Sequence, residues 1–213
     1  MLVDATVYVI DDDPRVLRAV DRLLRSCEYR SQTYTSAKEF LLHEMPPGPA
    51  CIVLDLSMPE MNGLDLQQIL AQGDEELPII FISGHGDIPA SVRAMKAGAV
   101  DFLTKPFEDR QLLTAIEAAL SRSSNTIAAR AALKKDITAF EGLSQRERQV
   151  CLGVTQGLLN KQICGELGTT EKTVKVQRGQ VMKKLGAGSV ADLVKLVERL
   201  RAAGRLPHVT LHP

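Results

Sequence analysis

The first half of the chain places acidic, hydroxyl and amino side chains directly after short apolar runs. These residues are Asp11 and Asp12 after the first run, Asp55 after the third, Ser83 after the fourth and Lys105 after the fifth. Neighbouring carboxylates repel one another and bind a hard cation such as Mg²⁺, and one of them can attack a phosphoryl group. A hydroxyl and an ammonium group can stabilise the charge of that group. The residue types therefore indicate phosphoryl transfer at a metal site, provided that these side chains meet.

Each of these residues also has an ordinary interpretation when it is taken alone. Asp55 suits a turn or a helix cap, because Pro59 and Asn62-Gly63 force the chain to turn after it. Ser83 suits a turn, and Lys105 suits a solvated surface. Only the shared position of all of them, each at the end of an apolar run, favours a common site.

Strand and helix patterns alternate five times along residues 1–122. The apolar runs at 7–10, 51–54, 78–82 and 100–104, with a weaker one at 30–34, are typical of strands. Apolar residues recur at helical spacing between them. This alternation predicts a five-stranded parallel sheet covered on both faces, the doubly wound flavodoxin-like α/β fold. With strand order 2-1-3-4-5, a crevice opens between strands one and three, and all the polar residues lie at its edge.

That arrangement gives each side chain an expected role. Asp55 attacks and becomes an aspartyl phosphate, Lys105 stabilises the phosphoryl charge, and Ser83 donates a hydrogen bond to the new phosphate. The expected Mg²⁺ ligands are Asp12 and Asp55 directly, the backbone carbonyl of Ser57, and Asp11 through water.

Residues 4–122 resemble the receiver domain of two-component response regulators. The resemblance rests on the acidic triplet after strand one, the aspartate before Met58-Pro59-x-x-x-Gly63, Ser83, and Lys105-Pro106. Gly84-His85-Gly86-Asp87 and 95–99 resemble the FixJ branch. The family implies that a sensor histidine kinase phosphorylates Asp55, that Lys105–Pro106 is cis, and that Phe102 is an aromatic switch acting with Ser83.

Charge divides the chain into two unlike halves. Residues 1–122 carry 11 basic and 19 acidic side chains, whereas residues 123–213 carry 15 basic and 7 acidic ones. A net charge of −8 suits a cation site, and a net charge of +8 suits a polyanion such as DNA. We expect a cytoplasmic protein, because the chain has no apolar run long enough for a membrane helix and starts without a basic leader.

The second half divides into a linker and four short helices. Residues 127–135 are rich in helix formers, and Asn125 or Thr126 is expected to cap that linker helix. Ser144 and Glu147 form a capping-box pattern, Asn160 and Thr170 are expected to cap the second and third helices, and glycines end each helix. The short connection between the second and third helices indicates a helix-turn-helix in an all-α domain.

A helical wheel gives the third helix of this half a basic face. Lys175 is placed to contact guanine and Val176 to contact a thymine methyl group. Phosphate contacts are expected from Lys161, Thr173, Arg178 and Lys184, and the same face carries Lys172 and Lys183. An ordinary solvated basic helix is the alternative interpretation.

Residues 143–200 resemble the LuxR-type DNA-binding domain. The matching segments are 143–150, 157–163 and 173–176, and two positions depart from the pattern. Gln177 stands where the family usually has histidine, and Gly179 occupies a position that often carries a contacting side chain. The departure at Gly179 puts a base contact there in doubt.

The chain is therefore expected to be a FixJ/NarL-type response regulator that binds DNA when phosphorylated. We expect a receiver at 1–122, a helical linker at 123–141 and a helix-turn-helix domain at 142–213. The expected partners are a sensor histidine kinase, double-stranded promoter DNA, RNA polymerase and a second copy of the chain, with no membrane. Chemistry is expected only at its own Asp55, as self-phosphorylation and self-dephosphorylation. A haloacid dehalogenase-type phosphatase is a rival, although Ser57 replaces its second aspartate; a ligand-sensing regulator is another.

Overall fold

The computed structural model describes residues 5–73, 77–84 and 88–206. The strands are β1 (Thr6–Ile10), β2 (Arg30–Tyr34), β3 (Ala50–Asp55), β4 (Ile79–Ser83) and β5 (Asp101–Thr104). The helices are α1 (Pro14–Ser26), α2 (Ala37–Leu41), α3 (Gly63–Ala71), α4 (Ile88–Lys96), α5 (Asp109–Glu141), α6 (Gln145–Thr155), α7 (Asn160–Leu167), α8 (Glu171–Leu185) and α9 (Val190–Ala202). Within the described ranges, no helix is both long and apolar enough to cross a membrane.

The strands form one parallel sheet in the order β2-β1-β3-β4-β5, which confirms the predicted order and fold class. Every residue of β1, β3 and β4 is buried, because helices cover both faces of the central strands. The edge strands β2 and β5 are more exposed.

Alternate residues of each strand point to opposite faces and enter two separate cores. Tyr8, Leu54 and Phe81 pack on one face against α2, α3 and α4. Val9 and Val53 pack on the other face against α1 and α5. Since these strands are held from both sides, the loops at their carboxyl ends have a firm base.

The helix α5 differs from the prediction for the linker. It runs without interruption from Asp109 to Glu141, so no helix begins at Asn125 or Thr126 and that expected cap is wrong. The buried Ser123 hydroxyl accepts a hydrogen bond from the backbone N–H of Ala50, which supports the helix just past residue 122, where the receiver was expected to end. The chain divides into the compact units Met1–Ala128 and Ala129–Pro213, and the division falls inside α5.

The second unit is helical and has its own core. Val150, Ile163, Val174 and Leu193 are fully buried there, and Phe140 at the end of α5 joins them. The last third of α5 therefore packs as part of this unit.

The caps of the second unit follow the predicted pattern at most helix ends. Ser144 and Glu147 form the predicted capping box of α6, and Thr170 caps α8. Leu159, not Asn160, precedes α7, and the Gln162 side chain accepts a hydrogen bond from the Leu159 backbone N–H. The Asn160 carboxamide is instead used by Arg178 of α8.

Candidate functional site

The carboxyl edge of the sheet collects the residues that the sequence pattern singled out. Asp11 follows β1, Asp55 ends β3, Ser83 ends β4 and Lys105 follows β5. The Lys105 Nζ lies 2.5 Å from Asp11 Oδ2 and 2.6 Å from Asp55 Oδ1. Residues 94 and 50 positions apart along the chain therefore meet at one point, as the strand pattern requires.

Burial and backbone hydrogen bonds fix the two carboxylates. Asp11 and Asp55 are only 1% and 4% exposed. The Asp13 N–H donates to Asp11 Oδ1 at 2.9 Å, and the Ser57 N–H donates to Asp55 Oδ2 at 2.7 Å. In each carboxylate, one oxygen therefore accepts a hydrogen bond from a backbone N–H of its own loop, and the other oxygen accepts one from Lys105.

The titration behaviour of the cluster follows from this burial. Burial raises the pKa of Asp11, and the hydrogen bond from Lys105 only partly offsets it. Burial also lowers the pKa of Lys105, but the hydrogen bonds to Asp11 and Asp55 together outweigh that effect and raise it. The lysine therefore stays charged at neutral pH, and two buried carboxylates share one cation.

Asp12 follows Asp11, and Ser57 lies two residues after Asp55. Both side chains are exposed on the loops that follow β1 and β3. The two buried carboxylates at one lysine leave an excess of negative charge, and carboxylate oxygens are the donors that Mg²⁺ prefers. In the part of the chain that the structure describes, no three acidic, histidine or cysteine side chains form a group that could hold a metal ion by themselves. Mg²⁺ does not need one, because one or two carboxylates and water molecules usually bind it.

Ser83 ends β4, the strand next to β3, and Phe102 lies in β5. Ser83 is fully buried, and its backbone carbonyl accepts a hydrogen bond from the Lys105 N–H at 2.7 Å. The Lys105–Pro106 peptide bond is cis, as the family resemblance implied. The half-buried Phe102 ring stacks on Phe81 with 6.2 Å between ring centroids. The remaining motif residues 85–87 lie outside the described ranges.

Gly63 is a site residue whose role sequence reasoning missed. A Cβ atom at this position would lie 2.6 Å from the Asp55 carbonyl oxygen and 2.9 Å from the Phe81 ring. The glycine therefore lets the start of α3 approach the strand that carries Asp55. Its fixed spacing after Asp55 was visible, but it was interpreted only as a turn.

The helices α7 and α8 present the predicted basic surface. The exposed members of the predicted set are Lys161, Lys172, Thr173, Lys175, Val176, Lys183 and Lys184. Arg178 is half-buried, and its Nη1 donates to Asn160 Oδ1 at 3.3 Å. Val174, Val181 and Leu185 face the core.

Lys184 differs from the other lysines of α8. Its Nζ lies 2.7 Å from Glu147 Oε2, and Glu147 is buried at the start of α6. The hydrogen bond from Lys184 and then that from the Ser144 backbone lower the pKa of Glu147 to about 2. This pair joins positions 37 apart, so no local sequence pattern pointed to it.

Comparisons with known proteins match both halves of the chain. The response regulator receiver domain matches residues 7–117, and the bacterial regulatory protein luxR family matches residues 141–197.

Similar proteins match nearly the whole length. The response regulator protein TmoT of Ectopseudomonas mendocina is 46% identical over 93% of this chain and 90% of its own length. The transcriptional regulatory protein FixJ of Azorhizobium caulinodans is 41% identical over 89% of this chain and 90% of its own.

Solved structures agree. The response regulator StyR has a TM-score of 0.80 and 47% identity, covering 92% of this chain and 98% of that one. Full-length FixJ from B. japonicum has a TM-score of 0.56 and 38% identity, covering 96% and 99%. The domains are those of a regulator and not of a catalytic family, which removes the phosphatase rival. The chain belongs to the FixJ-type response regulators, the two-component transcription regulators that join a receiver domain to a LuxR-type DNA-binding domain.

Proposed function

We propose that Asp55 accepts a phosphoryl group from a sensor histidine kinase and that this event controls DNA binding by α8. The observation that carries the proposal is the position of Lys105, whose ammonium group bridges the buried carboxylates of Asp11 and Asp55. A charged lysine that touches the acceptor oxygen is placed to stabilise the phosphoryl group as it arrives.

The transfer itself needs few groups. A carboxylate oxygen of Asp55 attacks the phosphorus of a phosphohistidine, the P–N bond breaks, and its electron pair returns to the imidazole. Lys105 exchanges part of its contact with Asp55 for a phosphoryl oxygen while it keeps Asp11. Hydrolysis of the product by water would return the free carboxylate, so the chemistry stays confined to this one side chain.

The residues around Asp55 fit a bound Mg²⁺. Asp12 and Asp55 would hold it directly, together with the backbone carbonyl of Ser57, and Asp11 would act through water. The ion would neutralise the charge that the acidic cluster and the phosphoryl group share.

The switch is proposed to use residues that already lie beside the acceptor. Phosphorylation adds a charge of about −1.5 to −2 and three acceptor oxygens. Ser83 donates a hydrogen bond to one of them, and Phe102 follows by changing its packing against Phe81. The result is a shift between two states of the receiver.

The output is a DNA-bound homodimer. The proposed contacts to DNA come from the exposed residues of α7 and α8 described above except Lys184, because its ammonium group pairs with Glu147. Lys175 and Val176 are proposed to contact the bases, and the others to contact phosphates. Two such helices would occupy two half-sites of promoter DNA, where the protein contacts RNA polymerase. We place this activity in the cytoplasm, where that DNA lies.

The experiment compares wild type with Asp55→Asn before and after treatment with acetyl phosphate and Mg²⁺. Intact mass measures phosphorylation, sedimentation measures dimerisation, and fluorescence anisotropy measures affinity for promoter DNA. Wild type should gain one phosphoryl group, dimerise and bind more tightly, and Asp55→Asn should do none of these. Asp109→Asn, an exposed aspartate in the first turn of α5, is the matched control and should behave as wild type. Equal enhancement of wild type and Asp55→Asn would refute the proposal.

A further inference from the structure

Gly179 lies in the interior of α8, and neither its packing nor its backbone conformation requires a glycine there. It is exposed, and a Cβ atom built there meets no other atom within 4 Å. It also does not have the left-handed backbone of Gly168 and Gly186, the C-cap residues of α7 and α8, whose φ angles are 59° and 62°. Glycine weakens a helix interior more than any other residue except proline. The free protein therefore gains nothing from glycine at this position.

The surroundings of Gly179 show what the position faces. Lys175, Val176 and Lys183 lie within about one helical turn of it and are all exposed. Val176 is 56% exposed, although it is apolar. Two residues that disfavour the free helix in water thus lie three positions apart on its basic face. A ligand that covers this face would bury the valine and would meet a helix with no side chain at residue 179.

A second glycine shows that an open helix position alone is not a sufficient argument. Gly165 lies in the interior of α7, is exposed, and also leaves space for a Cβ atom. Lys161 is the only basic side chain of α7, and Glu166, next to Gly165, is exposed and acidic. Gly165 therefore has fewer lysines around it than Gly179 has. What distinguishes Gly179 is its place among exposed lysines, beside an exposed valine.

We propose that Gly179 determines DNA specificity by allowing the floor of the major groove to approach the backbone of α8. Glycine is the residue that permits such close approach, because it has no Cβ. The chemistry of the contact is apolar: the Cα–H group of Gly179 and the Val176 side chain pack against base edges such as a thymine methyl group. Lys175 and Lys183 flank this contact. The inference rests on the proposed binding of DNA by α8.

The test compares wild type with Gly179→Ala and Gly165→Ala in the full chain after acetyl phosphate and Mg²⁺. The DNA probe is a duplex recovered by wild type from a random-sequence library, and the reference is a duplex of unrelated sequence. Both variants should melt about 2–4 °C higher than wild type, because alanine favours the helix. Gly179→Ala should lose about tenfold or more of its affinity for the selected duplex, because its methyl group overpacks the interface. Gly165→Ala should bind as wild type does.

The two duplexes separate a local effect from a general loss of binding. Affinity for the unrelated duplex depends mainly on charge, so Gly179→Ala should keep it within about twofold. The inference is overturned if Gly179→Ala binds the selected duplex as tightly as wild type, if Gly165→Ala weakens equally, or if Gly179→Ala lowers the melting temperature. If wild type selects no duplex at all, the proposed function fails rather than the role of Gly179.

Discussion

At the scale of residues, the phosphoryl-acceptor site depends on charge held in a small buried volume. Asp11 and Asp55 share the ammonium group of Lys105, and each is also held by a backbone N–H. Burial raises the pKa of Asp11, because the buried environment disfavours the charged form of its carboxylate. An added cation stabilises this buried negative charge, and so does any rearrangement that brings more hydrogen-bond donors to the site.

Gly63→Ala should destabilise the receiver and impair phosphorylation. The new methyl group would overlap the Asp55 carbonyl oxygen and the Phe81 ring, both of which are buried. Overpacking of this kind costs about 1–3 kcal/mol of the free energy of unfolding. Urea denaturation and the rate of phosphorylation by acetyl phosphate measure the two effects.

Gly73→Ala is the control for this substitution. Its added Cβ would make an ordinary contact of 3.4 Å with the Leu70 carbonyl oxygen. Gly73→Ala should change neither the free energy of unfolding nor the rate of phosphorylation. Wild-type stability in Gly63→Ala would show that α3 can move away from β3 without cost.

At the scale of elements, α5 and α8 each make a polar contact that is distant in sequence. Ser123 binds the first residue of β3 and supports α5 beyond the predicted end of the receiver. Lys184 binds Glu147 and joins the end of α8 to the start of α6. These contacts orient helices rather than form the surfaces that bind a ligand.

Lys184→Met should lower the melting temperature of the helical unit, because the buried Glu147 carboxylate then loses its cation. Scanning calorimetry of the full chain measures the change. Lys183→Met is the matched control. Lys183 is exposed on the face of α8 that is proposed to bind DNA, so this substitution should leave the melting temperature unchanged.

The salt dependence of DNA binding should also distinguish the two variants, but here Lys183→Met should be the one that changes. Loss of a lysine that contacts phosphate reduces the slope of log K against log salt by about 1. Lys183→Met should show that reduction, and Lys184→Met should not. If Lys184→Met reduces the slope and keeps the melting temperature, then Lys184 contacts DNA.

Sequence reasoning predicted the strands and helices that have local patterns. It missed the contacts between residues that are far apart in the sequence. The apolar runs gave all five strands and their order, and therefore placed Asp55 beside Lys105. The same logic could not show that α5 continues through 121–126. Serine and asparagine are only slightly poorer helix formers than their neighbours, and the contact of Ser123 with Ala50 spans 73 positions.

At the scale of the whole molecule, the boundary between the two units lies within one helix. The units divide at Ala128, whereas the LuxR-type domain matches only residues 141–197. Between these points, Leu133, Ile137 and Phe140 pack into the core of the helical unit. Arg199 of α9 also donates two hydrogen bonds, from Nε and Nη2, to Asp136 Oδ2. The folded DNA-binding unit thus needs residues that precede its sequence motif.

A fragment of residues 129–213 should be more stable than a fragment of residues 142–213. The shorter one lacks Phe140, and loss of a buried phenylalanine side chain costs about 3–5 kcal/mol. Urea denaturation followed by circular dichroism compares them. A third fragment beginning at residue 132 keeps the packed side chains and should match the longest one. Equal stability of the fragments 129–213 and 142–213 would mean that α5 does not stabilise this unit.

The two-sided composition of α8 has a practical consequence for redesign. Its inner side chains, Val174, Val181 and Leu185, maintain the fold, while its outer positions Lys172, Lys175, Val176 and Lys183 are exposed. A combinatorial library confined to the outer positions should therefore yield regulators retargeted to new promoters without loss of expression or solubility. Such variants would remain under the same kinase, so one sensor could be rewired to many outputs.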